Sequence, residues 1–108
     1  MVRDFTYVDD IVNGINIIVD YINSSMVVKD IYNIGNGRQV PLMEFVENIE
    51  FQLQRKAIKN FVPKHPADTQ ATWSDTTKLQ ALGYKSETPI EVGVAKFIEW
   101  YKRYYNVN

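Results

Sequence analysis

Apolar residues recur every three or four positions in several stretches of the chain and alternate only briefly elsewhere. Ile11, Val12, Ile15, Ile18, Val19 and Ile22 define one face of a helix, which Asp9 or Asp10 is placed to cap and which Ser24 and Ser25 break. Pro41 lacks an N–H, which costs nothing in a first helical turn, and Leu42, Phe45, Val46, Ile49 and Leu53 then predict a second amphipathic helix. Ser74 or Asp75 can cap a short helix running to Leu82, with Gly83 as its stop. Thr88-Pro89-Ile90-Glu91 has the form of a capping box, and the helix it opens carries a stripe through Ile90, Val94, Phe97, Ile98, Tyr101 and Tyr105.

Extended segments are shorter. Residues 3–8 alternate loosely around Phe5, Tyr7 and Val8, Asp30-Ile31-Tyr32-Asn33-Ile34 reads as a strand stopped by Gly35-Asn36-Gly37, and residues 57–62 read as another ended by Pro63. The run Lys64-His65-Pro66-Ala67-Asp68-Thr69-Gln70 has no periodicity and predicts an exposed loop. Strands alternating with helices predict an α/β fold. So few short strands do not make a covered sheet, so the pattern is expected to be part of a larger whole.

Composition limits the rest. With 108 residues, 45% hydrophobic and 23% charged, the chain has material for one modest core and one domain, residues 1–108. A formal charge of -1 with scattered Lys and Arg argues against nucleic acid or an anionic membrane as partner. There is no cysteine, hence no disulfide, thiolate metal site or cysteine nucleophile, and no apolar run approaches the length of a membrane span. A cytoplasmic protein is expected.

Among candidate binding groups, Arg3 beside a strand can offer its forked guanidinium to phosphate oxygens, although residue type alone favours a solvated arginine. Asp9 and Asp10 are adjacent and do not face each other on a helix, so they are read as capping residues and not as paired acids. Gly35-Asn36-Gly37 follows an extended segment as a phosphate-binding turn would, but Val40 stands where a dinucleotide fingerprint needs its third Gly or Ala, which favours a plain turn. His65, the single histidine, is a poor metal ligand alone and is either an anion donor or an exposed loop residue. Asp68 can accept from a sugar hydroxyl or shape the turn. Trp100, Tyr101, Tyr104 and Tyr105 crowd the last helix, as its edge or as a partner surface.

Taken in order, Arg3-Asp4-Phe5-Thr6-Tyr7-Val8-Asp9-Asp10-Ile11, Tyr32-Asn33-Ile34-Gly35-Asn36, Ala67-Asp68-Thr69-Gln70-Ala71-Thr72-Trp73-Ser74-Asp75, Leu82-Gly83-Tyr84, Thr88-Pro89-Ile90-Glu91 and Phe97-Ile98-Glu99-Trp100-Tyr101 resemble the C-terminal third of NAD-dependent nucleotide-sugar epimerases and dehydratases. These are the extended short-chain dehydrogenase/reductases, of the NAD(P)-binding Rossmann-type superfamily. The resemblance covers almost the whole chain and is greatest to the UDP-glucuronate 4-epimerases of capsule and lipopolysaccharide synthesis.

The resemblance implies an enzyme whose N-terminal Rossmann half, absent here, holds NAD and whose C-terminal part closes over a UDP-sugar of the UDP-glucuronate or UDP-galacturonate class. It implies a diphosphate contact for Arg3 and a ribose contact for Asp68. The place of His65 usually holds Gln or Arg in a motif ending Gly-Asp, so His65-Pro66-Ala67-Asp68 is a departure that stiffens the turn. The family's chemistry, a tyrosinate removing the C4 hydroxyl proton as hydride passes to NAD, needs a Tyr-x-x-x-Lys pair. No lysine here has a tyrosine four residues before it, so no catalytic residue is assigned and the chain is expected to be inert alone. Met1 falls where the family often has an internal methionine, which points to part of a longer enzyme. The alternative is a non-catalytic interaction module that forms a homo-oligomer or complements a separate Rossmann half.

Overall fold

The structure, a computed structural model, describes residues 1–24 and 29–108. The elements in chain order are β1 (Val2–Arg3), α1 (Val8–Ser24), β2 (Val40–Pro41), α2 (Leu42–Leu53), α3 (Thr77–Gln80) and α4 (Ile90–Tyr105). The break expected at Ser25 lies outside the described residues, and Ser24 is still helical.

β1 and β2 pair antiparallel, with Val2 opposite Pro41 and Arg3 opposite Val40. On its other side Val2 bridges in parallel to Ala71, donating to the Gln70 carbonyl at 3.1 Å and accepting from the Thr72 N–H at 3.1 Å. Val2 therefore joins two later segments of chain. The strands expected at residues 30–34 and 57–62 do not form, because β-branched and aromatic side chains favour a strand only when a neighbour supplies ladder bonds and packing. Ile58, Phe61 and Val62 of the second segment lie largely in solvent.

The helices follow the periodic pattern, and their ends refine it. Pro41 is the residue before α2, and Gln54 closes that helix in the left-handed conformation at φ 53°. α3 is shorter than expected, and it ends in a Schellman motif: Gly83 at φ 102° donates to the Gln80 carbonyl at 2.9 Å while the Tyr84 N–H reaches that of Leu79 at 3.3 Å. The capping box at Thr88 is not made. Pro89 precedes α4 without a side-chain cap, and the Thr88 N–H donates instead to Asp10 Oδ2 at 3.1 Å.

The main core lies between α2 and α4, where Val40, Ile90, Val94 and Ile98 are buried and Phe5, Phe45, Ile49 and Leu53 close over them. Phe5 and Phe45 stack with centroids 4.2 Å apart. Ile90, Val94 and Ile98 form an i, i+4, i+8 row, so the predicted stripe of α4 divides, leaving Phe97, Tyr101 and Tyr105 on an adjacent, exposed row. A second, smaller contact buries Leu79 near Gly14 and Ile34. The fold is a slab of 53 × 38 × 18 Å with a radius of gyration of 17.0 Å. A compact domain of this length has a radius of about 13 Å.

Candidate functional site

Arg3 is held by both pairings of β1. Its Nη2 donates to Asp68 Oδ1 at 2.6 Å and to the Thr69 carbonyl at 2.9 Å, and its Nη1 donates to the Val2 carbonyl at 2.8 Å. Two of the five guanidinium N–H donors and Asp68 Oδ2 have no partner among the described residues. Both side chains remain partly open to solvent, 24% for Arg3 and 35% for Asp68.

Asp68 is presented by a tight turn. Its N–H donates to the His65 carbonyl at 2.9 Å, and the Ala67 N–H donates to His65 Nδ1 at 3.1 Å. His65 thus shapes the turn through Nδ1 and, being exposed, has only Nε2 left for another partner. The structure brings Arg3 and Asp68 into direct contact and sets His65 at the far end of the same turn.

Asp4, which the sequence did not single out, organises the neighbouring loops. Its Oδ1 accepts from Asn36 N at 3.0 Å and Thr6 Oγ1 at 3.1 Å, and its Oδ2 accepts from Gly37 N and Ser74 N, each at 2.9 Å. The turn at Gly35-Asn36-Gly37 therefore already serves an anion, the Asp4 side chain. Gly35 is required there because a Cβ would lie 2.5 Å from Ser74 Cβ, and Gly37 because its φ is 74°. With those N–H groups occupied and Val40 at the third position, the residues present do not fit a dinucleotide.

Asp10 is buried and also acts at a distance. It accepts from Thr88 N at 3.1 Å and from Ser86 Oγ and Glu87 N at 3.4 Å, so it fastens the loop before α4 and does not cap α1, whose first turn closes on the Tyr7 carbonyl. Asp9 is exposed. The Tyr84 phenol donates to the Gly35 carbonyl at 2.6 Å, and burial, then the charges of Asp10 and Asp4, push its pKa up. That is the opposite of what a tyrosinate base needs. Among the described residues no three His, Cys, Asp or Glu side chains gather as a metal site.

No protein-family model matches the chain. It is 41% identical to Protein CapI of Staphylococcus aureus over 97% of its own length and 36% of that protein. It is 36% identical to the probable UDP-glucuronate 4-epimerase of Rhizobium meliloti, again over 97% of this chain and 36% of the relative. Its fold superposes on the UDP-glucuronic acid 4-epimerase of Bacillus cereus in complex with UDP-glucuronic acid and NAD with a TM-score of 0.84, at 26% identity, over 96% of this chain and 33% of that one.

The chain is a homologue of the NAD-dependent nucleotide-sugar epimerases and matches their C-terminal part. A second epimerase structure, UDP-glucose 4-epimerase from Bifidobacterium longum in complex with NAD+ and UDP, agrees with a TM-score of 0.81 at 26% identity, covering 97% of this chain and 31% of that one. The chain spans about a third of the length of the curated relatives it matches. Its mixed helix and strand architecture is that of an extended short-chain dehydrogenase/reductase, as the motifs implied. No helix among the described residues is long and apolar enough to cross a membrane.

Proposed function

We propose that residues 1–108 form the UDP-sugar-binding, C-terminal domain of a cytoplasmic NAD-dependent 4-epimerase acting on the UDP-glucuronate class, and that the domain is inert without its NAD-binding part. The direct contact between Arg3 and Asp68 carries this reading. A nucleoside diphosphate places ribose hydroxyls beside an anionic diphosphate, and the pair offers a carboxylate oxygen beside a guanidinium that retains unused N–H donors. Arg3 takes the diphosphate, Asp68 Oδ2 accepts from a ribose hydroxyl, and His65 Nε2 stands at the rim as a further contact. The identity with UDP-glucuronate 4-epimerases supports this choice of ligand.

The test is calorimetric titration of the chain with UDP and with uridine. Arg3→Ala is expected to weaken UDP at least tenfold while leaving any uridine binding unchanged, and Asp68→Asn is expected to weaken both. Identical UDP affinity in wild type and Arg3→Ala would overturn the assignment. Conversion of UDP-glucuronate by the isolated chain would overturn the claim of inertness.

A further inference from the structure

Asn-Gly is the dipeptide most prone to deamidation, because the following residue has no side chain to crowd its N–H. The chain carries it twice, at Asn13-Gly14 and at Asn36-Gly37. The reaction is intramolecular. The glycine nitrogen gives up its proton and bonds to the asparagine Cγ, the Cγ–Nδ2 bond breaks, and ammonia leaves. Water then opens the five-membered imide at one carbonyl or the other, giving aspartate or isoaspartate with no change of oxidation state. Asparagine is for this reason among the thermolabile residues.

At Asn36-Gly37 the fold opposes each requirement of that reaction. The Gly37 N–H donates to Asp4 Oδ2 at 2.9 Å. A carboxylate in that position favours the N–H form over the amide anion, and it is far too weak a base to take the proton itself. The Asn36 N–H donates to Oδ1 of the same carboxylate at 3.0 Å. These two N–H groups flank the backbone torsions of Asn36, so Asp4 resists the rotation that brings Gly37 N towards Cγ. The side-chain amide is tied at both ends as well: Nδ2 donates to the Phe5 carbonyl at 3.4 Å and Oδ1 accepts from the Ser86 hydroxyl. Access is not the obstacle, since Gly37 is exposed and Asn36 only half-buried. Asn13 differs. It is exposed within α1, where helical hydrogen bonding holds Gly14 without help from Asp4.

We infer that Asn36 is a modification site guarded by the Asp4 clamp: it deamidates only while the clamp is open, and its product cannot rebuild the clamp. Ser86 has one hydroxyl proton and reaches both Asn36 Oδ1 and Asp10 Oδ2, the latter at 3.4 Å. An aspartate at position 36 sets a second negative charge across that hydroxyl from buried Asp10, which also holds the Thr88 N–H ahead of α4. Isoaspartate adds a methylene to the main chain between two N–H groups that one carboxylate bridges. Deamidation thus turns a reversible opening of this turn into a permanent one. The inference is independent of the ligand roles of Arg3, His65 and Asp68.

The experiment incubates the 108-residue chain at mildly alkaline pH, folded and in urea, and follows the amide-to-acid mass gain at residues 13 and 36 by peptide mapping. Conversion at Asn36 is expected to be at least roughly tenfold slower in the folded chain. Asp4→Ala is expected to bring the rate at Asn36 to within about threefold of its rate in urea. Ser86→Ala, which frees Asn36 Oδ1 without touching Asp4, is expected to raise the Asn36 rate roughly threefold while the chain remains folded by circular dichroism, with Asn13 unchanged. Asn36→Asp, a direct copy of one product, is expected to unfold at lower urea than wild type and to speed amide exchange at Gly37 and Thr88. Equal Asn36 rates in folded and unfolded chain, a folded Ser86→Ala chain with the wild-type rate, or an Asn36→Asp chain as stable as wild type would overturn the inference.

Discussion

The N–H of Thr88 is bound by the carboxylate of Asp10, 78 positions earlier in the chain, at 3.1 Å. Glu91, three residues after Thr88, is the local group that a capping box would use, and it is exposed. The two alternatives separate experimentally. Glu91→Ala is expected to change stability by less than about 0.5 kcal/mol, and Asp10→Ala to cost roughly 2 kcal/mol by leaving buried N–H groups unpaired, as read from urea unfolding. Equal effects would restore the local cap.

Asp4 ties three loops together with four accepted hydrogen bonds, three of them from backbone N–H groups. Asp4→Ala is expected to cost about 2–4 kcal/mol and to loosen the turn at Gly35-Asn36-Gly37, seen as faster amide exchange at Asn36, Gly37 and Ser74. Asp4→Asn keeps the shape but turns an N–H donor towards donors, so it is expected to rescue only part of the loss.

One glycine tests packing. A glycine inside a helix normally costs roughly 1 kcal/mol relative to alanine. At Gly14 the sign is expected to reverse, because the added Cβ would lie 2.8 Å from Ile34 Cγ2. Gly14→Ala should therefore lower the melting temperature, and the double variant Gly14→Ala with Ile34→Leu should recover part of it, because leucine has no Cγ2 branch on its Cβ. A rise with the single variant would show that Ile34 moves aside without cost.

Acid sensitivity has an identifiable source. The Ala57 N–H at 2.6 Å, followed by Lys59 Nζ at 3.0 Å, holds the pKa of Glu50 below its ordinary 4.5. A depressed carboxylate pKa contributes stability that is present above the unfolded value and is lost as pH falls through the folded one. Unfolding followed from pH 6 to about 2 is expected to show a loss beginning near 4.5. Glu50→Gln should flatten that limb while lowering stability at pH 6, and an unchanged acid limb would remove Glu50 as its cause.

How much of this was legible depended on the range of the interaction. The rows Ile90, Val94 and Ile98 on α4 and Phe45, Ile49 and Leu53 on α2 could be read from spacing because helical hydrogen bonds are local. The Gly83 stop was legible for the same reason. Residues 57–62 have strand-forming composition but no strand, since a ladder depends on a distant neighbour that sequence pattern does not name. Arg3 and Asp68 lie 65 positions apart, and only the order of family motifs suggested that they belong together. Asp10 was read through its immediate neighbours and Asp4 was given no role, whereas both act on loops more than thirty residues away.

Val2 also has a consequence for the order of assembly. Its backbone is clasped between Pro41 on one side and Ala71 on the other, so its second edge cannot be completed until the chain has been synthesised as far as Thr72. α1 and α2 are local structures that can form while translation continues, but Arg3 acquires its orientation only when residues 68–71 arrive. On the ribosome, the side chain proposed to grip the ligand is thus set only by residues synthesised 65 positions after it.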